Sequence, residues 1–318
     1  MSLSLYREKI LFTAGTGAAG YDIWAYVPLT RRIIRLTRGL AEAFSVPYPS
    51  RDGRRLAFIG RNSILYALDL RSGSLAQLDR IEPYTLLDWS PDHRYLSYVK
   101  EGRIVIYHLD SHRHTVIATV GATDAGWFPS GTSLLYVAPD PIGNVQLYQI
   151  NSNGTNVRQL TRNEEGPLHD VRLSPDGRFA LYTSPGASIS LVSVVNLATG
   201  QTTRLEGGPQ AKNYNPAWSP DSSRIAYSAT SLIQNQYISY IQTDHREGGQ
   251  IATWAVSSCF STPVSWSPDG RRIAYLSGCE GQESAKELWI ADTGALRSPA
   301  KVLEAGSLTA IAWIKQAF

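Results

Sequence analysis

No apolar run in this 318-residue chain is long enough to cross a bilayer, and no helix-length amphipathic stretch occurs. The N-terminus, "MSLSLYREKILFTAG", lacks the apolar core of a signal peptide and enters a strand almost at once. Charge of either sign is also in short supply: 30 Lys and Arg face 27 Asp and Glu, leaving a formal +3. With no basic cluster interleaved with aromatics, that balance argues against a nucleic-acid partner. No G-x-S-x-G nucleophile elbow is present and no segment could form an α/β-hydrolase domain, so a serine peptidase is excluded on motif and on length. Cysteine appears twice, at Cys259 and Cys279.

What the chain does have is a repeated phrase. "WSPDGRRIAY" begins at Trp266, "WSPDSSRIAY" at Trp218 and "WSPDHRYLSY" at Trp89. Each reads as an aromatic, a tight turn and a strand. Proline presets φ, aspartate bonds back to nearby amides, and the fourth position suits a left-handed glycine. The aspartates are therefore turn residues first and candidate acids or ligands second. Looser copies begin at Trp127 ("WFPSGTSLLYV"), Leu173 ("LSPDGRFALYT") and Tyr48 ("YPSRDGRRLAFI"), the last read with one extra turn residue. The anchors are spaced 41, 38, 46, 45 and 48 residues apart. A period in the forties with about four short strands per unit is the signature of a β-propeller.

The chain ends bear on the number of blades. Strands "KILFTA", "YDIWAYV" and "RRIIRLT" open the sequence without an anchor, and "LTAIAWI" around Trp313 closes it as a lone anchor strand. Pairing the last strand with the first three removes two exposed edges. The expectation is thus an all-β, single-domain, seven-bladed propeller over residues 1–318, with six blades as the alternative.

The repeated "WSPDG…IAY" resembles the WD-like repeat of the TolB family, also found in the propeller domains of prolyl-oligopeptidase-type enzymes. The likeness covers nearly the whole chain. It implies a propeller and says little of function, because such propellers include interaction scaffolds, surface proteins and a few lyases. The expected unit count departs from the six-bladed ring with a separate N-terminal domain that the resemblance implies, and no such domain is expected in this sequence.

With Trp266 set opposite Arg272 across the turn, Cys259 falls opposite Cys279, a separation that a disulfide spans. A Cys259–Cys279 bond is expected. It places the protein in an oxidising compartment, the periplasm or the cell surface, with a native leader removed; a cytoplasmic location is the alternative.

Two motifs invite chemistry and do not sustain it. "GTGAAG" at 15–20 fits the dinucleotide fingerprint, but the alternating "YDIWAYV" that follows is a strand, not the helix a pyrophosphate needs. "HLDSHRH" at 108–114 gathers three histidines where other units have an outer hairpin turn, so a solvated turn is expected in place of a metal site. Neither a cofactor nor a metal is expected.

The remaining candidate is the face formed by the loops entering each innermost strand. Counting back from the anchors gives His169, Asp170, Tyr214, Asn215 and Asp124, with Arg38, Arg80 and Lys212 nearby. Such a set suits a polar ligand or charged peptide. The expected function is a non-catalytic, monomeric scaffold that binds a protein, peptide or glycan. The alternative is a carbohydrate lyase or hydrolase working at the same face, for which His169 lacks a second histidine nearby in sequence.

Overall fold

The computed structural model describes residues 6–17, 20–164, 166–185, 190–205, 212–280, 284–294 and 297–317. Among them regular structure is almost wholly β. The strands run in chain order as follows. β1 (Tyr6–Gly15), β2 (Tyr21–Val27) and β3 (Arg32–Arg35) open the fold. β4 (Tyr48–Pro49), β5 (Arg55–Ile59), β6 (Ile64–Asp69) and β7 (Leu75–Arg80) form one four-stranded sheet. β8 (Asp88–Trp89), β9 (Tyr95–Lys100), β10 (Arg103–His108) and β11 (Arg113–Ile117) form the next. Then come β12 (Asp124–Trp127), β13 (Ser133–Pro139), β14 (Val145–Asn151) and β15 (Arg158–Gln159). A fourth sheet holds β16 (His169–Leu173), β17 (Phe179–Pro185), β18 (Ser190–Asn196) and β19 (Thr202–Leu205). A fifth holds β20 (Lys212–Trp218), β21 (Arg224–Ile233), β22 (Gln236–His245) and β23 (Ala252–Ser257). β24 (Val264–Trp266), β25 (Arg272–Ser277), β26 (Ala285–Asp292) and β27 (Ala300–Ala317) complete the chain.

The blade count differs from the sequence reading. Five sheets have the four-stranded form of a blade, and everything else belongs to one seven-stranded sheet ordered β24-β25-β26-β27-β1-β2-β3. Among the described residues the structure therefore has five blades, not seven or six. The reason lies in β27, an 18-residue strand where the sequence suggested a single short closing strand around Trp313. Its first half pairs with β26, from Ile290↔Ala300 to Ala285↔Leu308. Its second half pairs with β1, where Ile10 lies opposite Trp313. No proline or tight turn interrupts "KVLEAGSLTAIAWI", so the chain runs on from one partner to the other.

The turns repeat faithfully. In each of five, the serine hydroxyl donates to the aspartate two residues on: Ser50 to Asp52, Ser90 to Asp92, Ser174 to Asp176, Ser219 to Asp221 and Ser267 to Asp269, at 2.5 to 2.6 Å. The same serine Oγ accepts the amide five residues on, as at Arg272 (2.9 Å), and the aspartate accepts the amide two residues beyond itself, as at Arg271 (3.1 Å). The fourth position is left-handed throughout, with φ of 68° at Gly270 and 71° at Gly177, and non-glycine residues His93 (61°) and Ser222 (62°) hold the same conformation.

Two details of register correct the sequence reading. Trp266 faces Ile273, not Arg272, and the same offset of seven recurs at Trp89↔Leu96, Trp127↔Leu134, Leu173↔Ala180 and Pro49↔Leu56. Pro49 therefore takes the anchor position in the first copy, and its turn has no extra residue.

By contact density the chain divides into two compact units: Met1–Tyr84 with Ala226–Thr243 and Ala252–Phe318, and Thr85–Ile225 with Asp244–Ile251. In the first, β1 buries both faces: Ile10 and Phe12 pack with Leu276, Leu288 and Trp313, while Leu11 packs with Ile23, Leu56 and Phe58. This two-sided burial explains why Ile10, Leu11 and Phe12 follow one another without a polar residue between them. Arg272 stacks over the Trp313 ring (4.8 Å) and pairs with Glu8 (2.8 Å), fixing the terminal strands to β25. In the second unit, Ile104, Trp127, Leu134 and Tyr136 make one core, and Leu135, Val137, Leu147, Ala180 and Tyr182 another, on the opposite face of β13.

Candidate functional site

In the second unit, β12 begins at Asp124 and approaches β16, which begins at His169 and Asp170. The pairing of β16 with β17 slips between His169 and Arg172, and Asp170 takes a left-handed φ of 53°. A bulge of this kind re-aims side chains at a strand entrance. Asn215, at the matching position of β20, is also left-handed (φ 51°). The Asp170 carboxylate accepts the Thr183 hydroxyl at 3.2 Å, which braces the bulge against β17.

Asp124 is half-buried, and burial is the main reason its carboxyl is held above the ordinary aspartate range. Asp170 pushes in the same direction, while Arg172, the Val171 amide and His169 act against it. The structure thus gathers Asp124, His169, Asp170 and Arg172 at the entrance of two neighbouring strands. Two carboxylates, an imidazole and a guanidinium there can exchange hydrogen bonds and charge with a polar group from outside.

Tyr214 and Asn215 lie on β20, half-buried, and Lys212 stands exposed at the start of that strand. β20 is tied to β16 by Trp218, whose indole Nε1 donates to the Arg172 carbonyl at 3.1 Å. Arg38 and Arg80 belong to the first unit, where Arg38 is exposed in a bend after β3 and Arg80 is exposed at the end of β7. Parts of the loops "RNEEGPLHD" and "GGPQAKNYN", at residues 165 and 207–211, lie outside the described residues.

Sequence reasoning missed Arg172. The available signal was strand alternation: a side chain one residue before an anchor can reach the neighbouring inner strand. Asp88 does so in the second unit, its Oδ2 accepting the Trp127 amide at 2.6 Å, and Ser265 does so in the first, its Oγ accepting the Trp313 amide at 2.8 Å.

The cysteines form the expected disulfide, with Cα atoms 5.0 Å apart. Its geometric basis is not the extended ladder inferred from sequence, since β24 starts only at Val264 and both cysteines lie in loops beyond the strand ends. The bond is embedded in hydroxyl contacts: Ser257 and Thr262 both donate to the Leu276 carbonyl (2.7 and 2.6 Å), and Ser258 Oγ accepts the Cys279 amide (3.1 Å).

The "HLDSHRH" segment spans the β10–β11 hairpin, with Asp110, Ser111 and His112 exposed in its turn. His108 bonds to Ser111 and lies 4.9 Å from the Tyr95 ring, and among the described residues no three His, Cys, Asp or Glu side chains converge for a metal. After Gly15–Gly20, of which residues 18 and 19 lie outside the described set, the chain enters β2 and not a helix. Among the described residues no helix is long and apolar enough to cross a membrane.

Comparison with known proteins follows the repeat. The TolB beta propeller domain family model matches residues 32–255, more than half of the chain. A TolB homolog from Chlorobium chlorochromatii is 27% identical over 147 residues, which are 46% of this chain and 31% of that protein, so the match spans under a third of the relative's length. TolB from Acinetobacter baumannii superimposes with a TM-score of 0.57 at 19% identity, covering 96% of this chain and 82% of that one. Oligogalacturonate lyase from Vibrio parahaemolyticus superimposes with a TM-score of 0.69 at 15% identity, covering 89% and 86%. At such identities the structural likeness shows the fold alone.

Proposed function

The chain belongs to the TolB β-propeller domain family, and from that premise we propose that it is a non-catalytic binding module which receives a polar segment of a partner protein at the Asp124–His169–Asp170–Arg172 cluster. The observation that carries this reading is Asp124: a half-buried carboxylate at a strand entrance, with its pKa raised, gains from a basic or hydrogen-bond-donating group that replaces the lost solvent. The left-handed Asp170 and Asn215 support it, because backbone strain of this kind is retained where side chains must be aimed. Tyr214 would add an amphipathic contact surface beside them. The disulfide supports work in an oxidising, extracytoplasmic compartment.

The test is quantitative capture from a native extract by the immobilised full chain and by Asp170→Ala and Tyr214→Ala variants of unchanged melting temperature. Specific partners should be lost, by about tenfold, with both variants. An identical captured set would remove this surface from consideration. A carbohydrate-active reading rests on the fold shared with oligogalacturonate lyase. Turnover of uronate oligosaccharides that disappears in His169→Ala would establish it in place of the scaffold.

A further inference from the structure

The hairpin β21–β22, whose residues Ala226–Thr243 belong to the first unit, stands apart from its counterparts. Its strands are ten residues each, against five to seven in β5–β6, β9–β10, β13–β14 and β17–β18. Gln234 and Asn235, both left-handed (φ 47° and 63°), make the two-residue turn that suits a twisted hairpin. The added length carries apolar side chains into solvent, with Leu232 59%, Ile233 40% and Tyr237 37% exposed. Tyr237 meets Phe260, itself exposed, edge-on at 4.9 Å.

The outer strand does not follow this extension. β23 pairs with β22 from Thr243↔Ala252 to Ser239↔Ser257 and stops there. Gln236, Tyr237 and Ile238 continue as strand, and among the described residues no partner strand lies on that side. Where β23 leaves, a cleft of about 980 Å³ opens, lined among others by Leu232, Tyr237, Ile238, Val256, Cys279 and Glu280. Glu280 is the one charged residue among its described lining, and its exposed ion pair with Lys286 (3.3 Å) is weak enough to exchange.

We propose that this cleft takes an extended peptide segment of a partner protein, added as a short strand beside residues 236–238 in the place that β23 vacates. An open strand edge presents N–H and C=O groups at a spacing that another extended backbone matches, which is the physical basis of strand addition. Side chains of such a segment alternate between faces, so apolar residues two apart would meet Leu232, Tyr237 and Val256. A basic residue at one end would meet Glu280. The disulfide keeps the Cys279 wall of the cleft in position.

A random-peptide phage library panned against the full chain tests this. The expected result is enrichment of sequences with bulky apolar residues at i and i+2 and a Lys or Arg nearby. A synthetic copy of an enriched peptide should bind about tenfold more weakly to Tyr237→Ala and Leu232→Asp, and more weakly to Glu280→Lys. Ester substitution of its edge-facing amides should weaken it as well. Asp170→Ala should bind it normally, which separates this site from the Asp124 cluster. No enrichment over an unrelated protein, apolar spacing of three and four, or binding indifferent to the Tyr237 and Leu232 variants would each overturn the proposal.

Discussion

At Asp124 burial raises the carboxyl pKa, and Asp170 adds to it against Arg172, the Val171 amide and His169. A carboxyl whose folded pKa lies above its unfolded value, about 3.9, favours folding at low pH and loses that contribution as pH rises through the folded value. Asp124→Asn should therefore raise the denaturant midpoint at pH 7, with the advantage vanishing near pH 3. Lower stability of the variant at pH 7 would mean that the carboxylate is a structural anchor. The turn aspartates carry the opposite sign. For Asp92, Asp176, Asp221 and Asp269, burial alone would raise the pKa, but the serine hydroxyl and nearby amide bonds outweigh it and hold the carboxyl below its ordinary value. Their stabilisation is present above pH 4 and is lost as pH falls through the lower folded values. Denaturant melts from pH 5 to 2 should show progressive loss of stability, and Asp269→Asn should flatten that dependence.

At the scale of elements, the turn and the disulfide are the parts that can be altered cleanly. His93 holds at φ 61° the left-handed position that glycine fills in sister turns, so His93→Gly should stabilise the fold by up to about 1 kcal/mol, read from the urea midpoint. The Cys259–Cys279 bond closes a separation of 20 residues, for which the chain-entropy account gives about 3 kcal/mol. The Cys259→Ser/Cys279→Ser pair should lose stability of that order, with the wild type matching it only under reducing conditions. The sequence made the turns legible because Ser, Asp and a left-handed residue recur at fixed offsets. It made the disulfide pairing legible for a reason that was off by one residue: the loop has one more position than a reading based on Trp266 and Arg272 allowed. The pairing survived because the cysteines meet in loops, where strand register no longer governs.

At the scale of the molecule, the repeat identified the family and the β class, while the blade count failed at β27. Periodicity counts hairpins, and it cannot show that residues 300–317 run as one strand shared between β26 and β1. The candidate site was legible in part. His169, Asp170 and Asp124 came together as counting from the anchors implied, Arg172 was missed because it sits one residue before an anchor, and Arg38 and Arg80 lie in the other unit. The central claim is that this cluster binds and does not catalyse. Its most direct test is steady-state assay of the full chain on a panel of uronate oligosaccharides, with and without added divalent cations. No turnover above background is expected for the wild type; turnover that is abolished by His169→Ala would contradict a purely binding role.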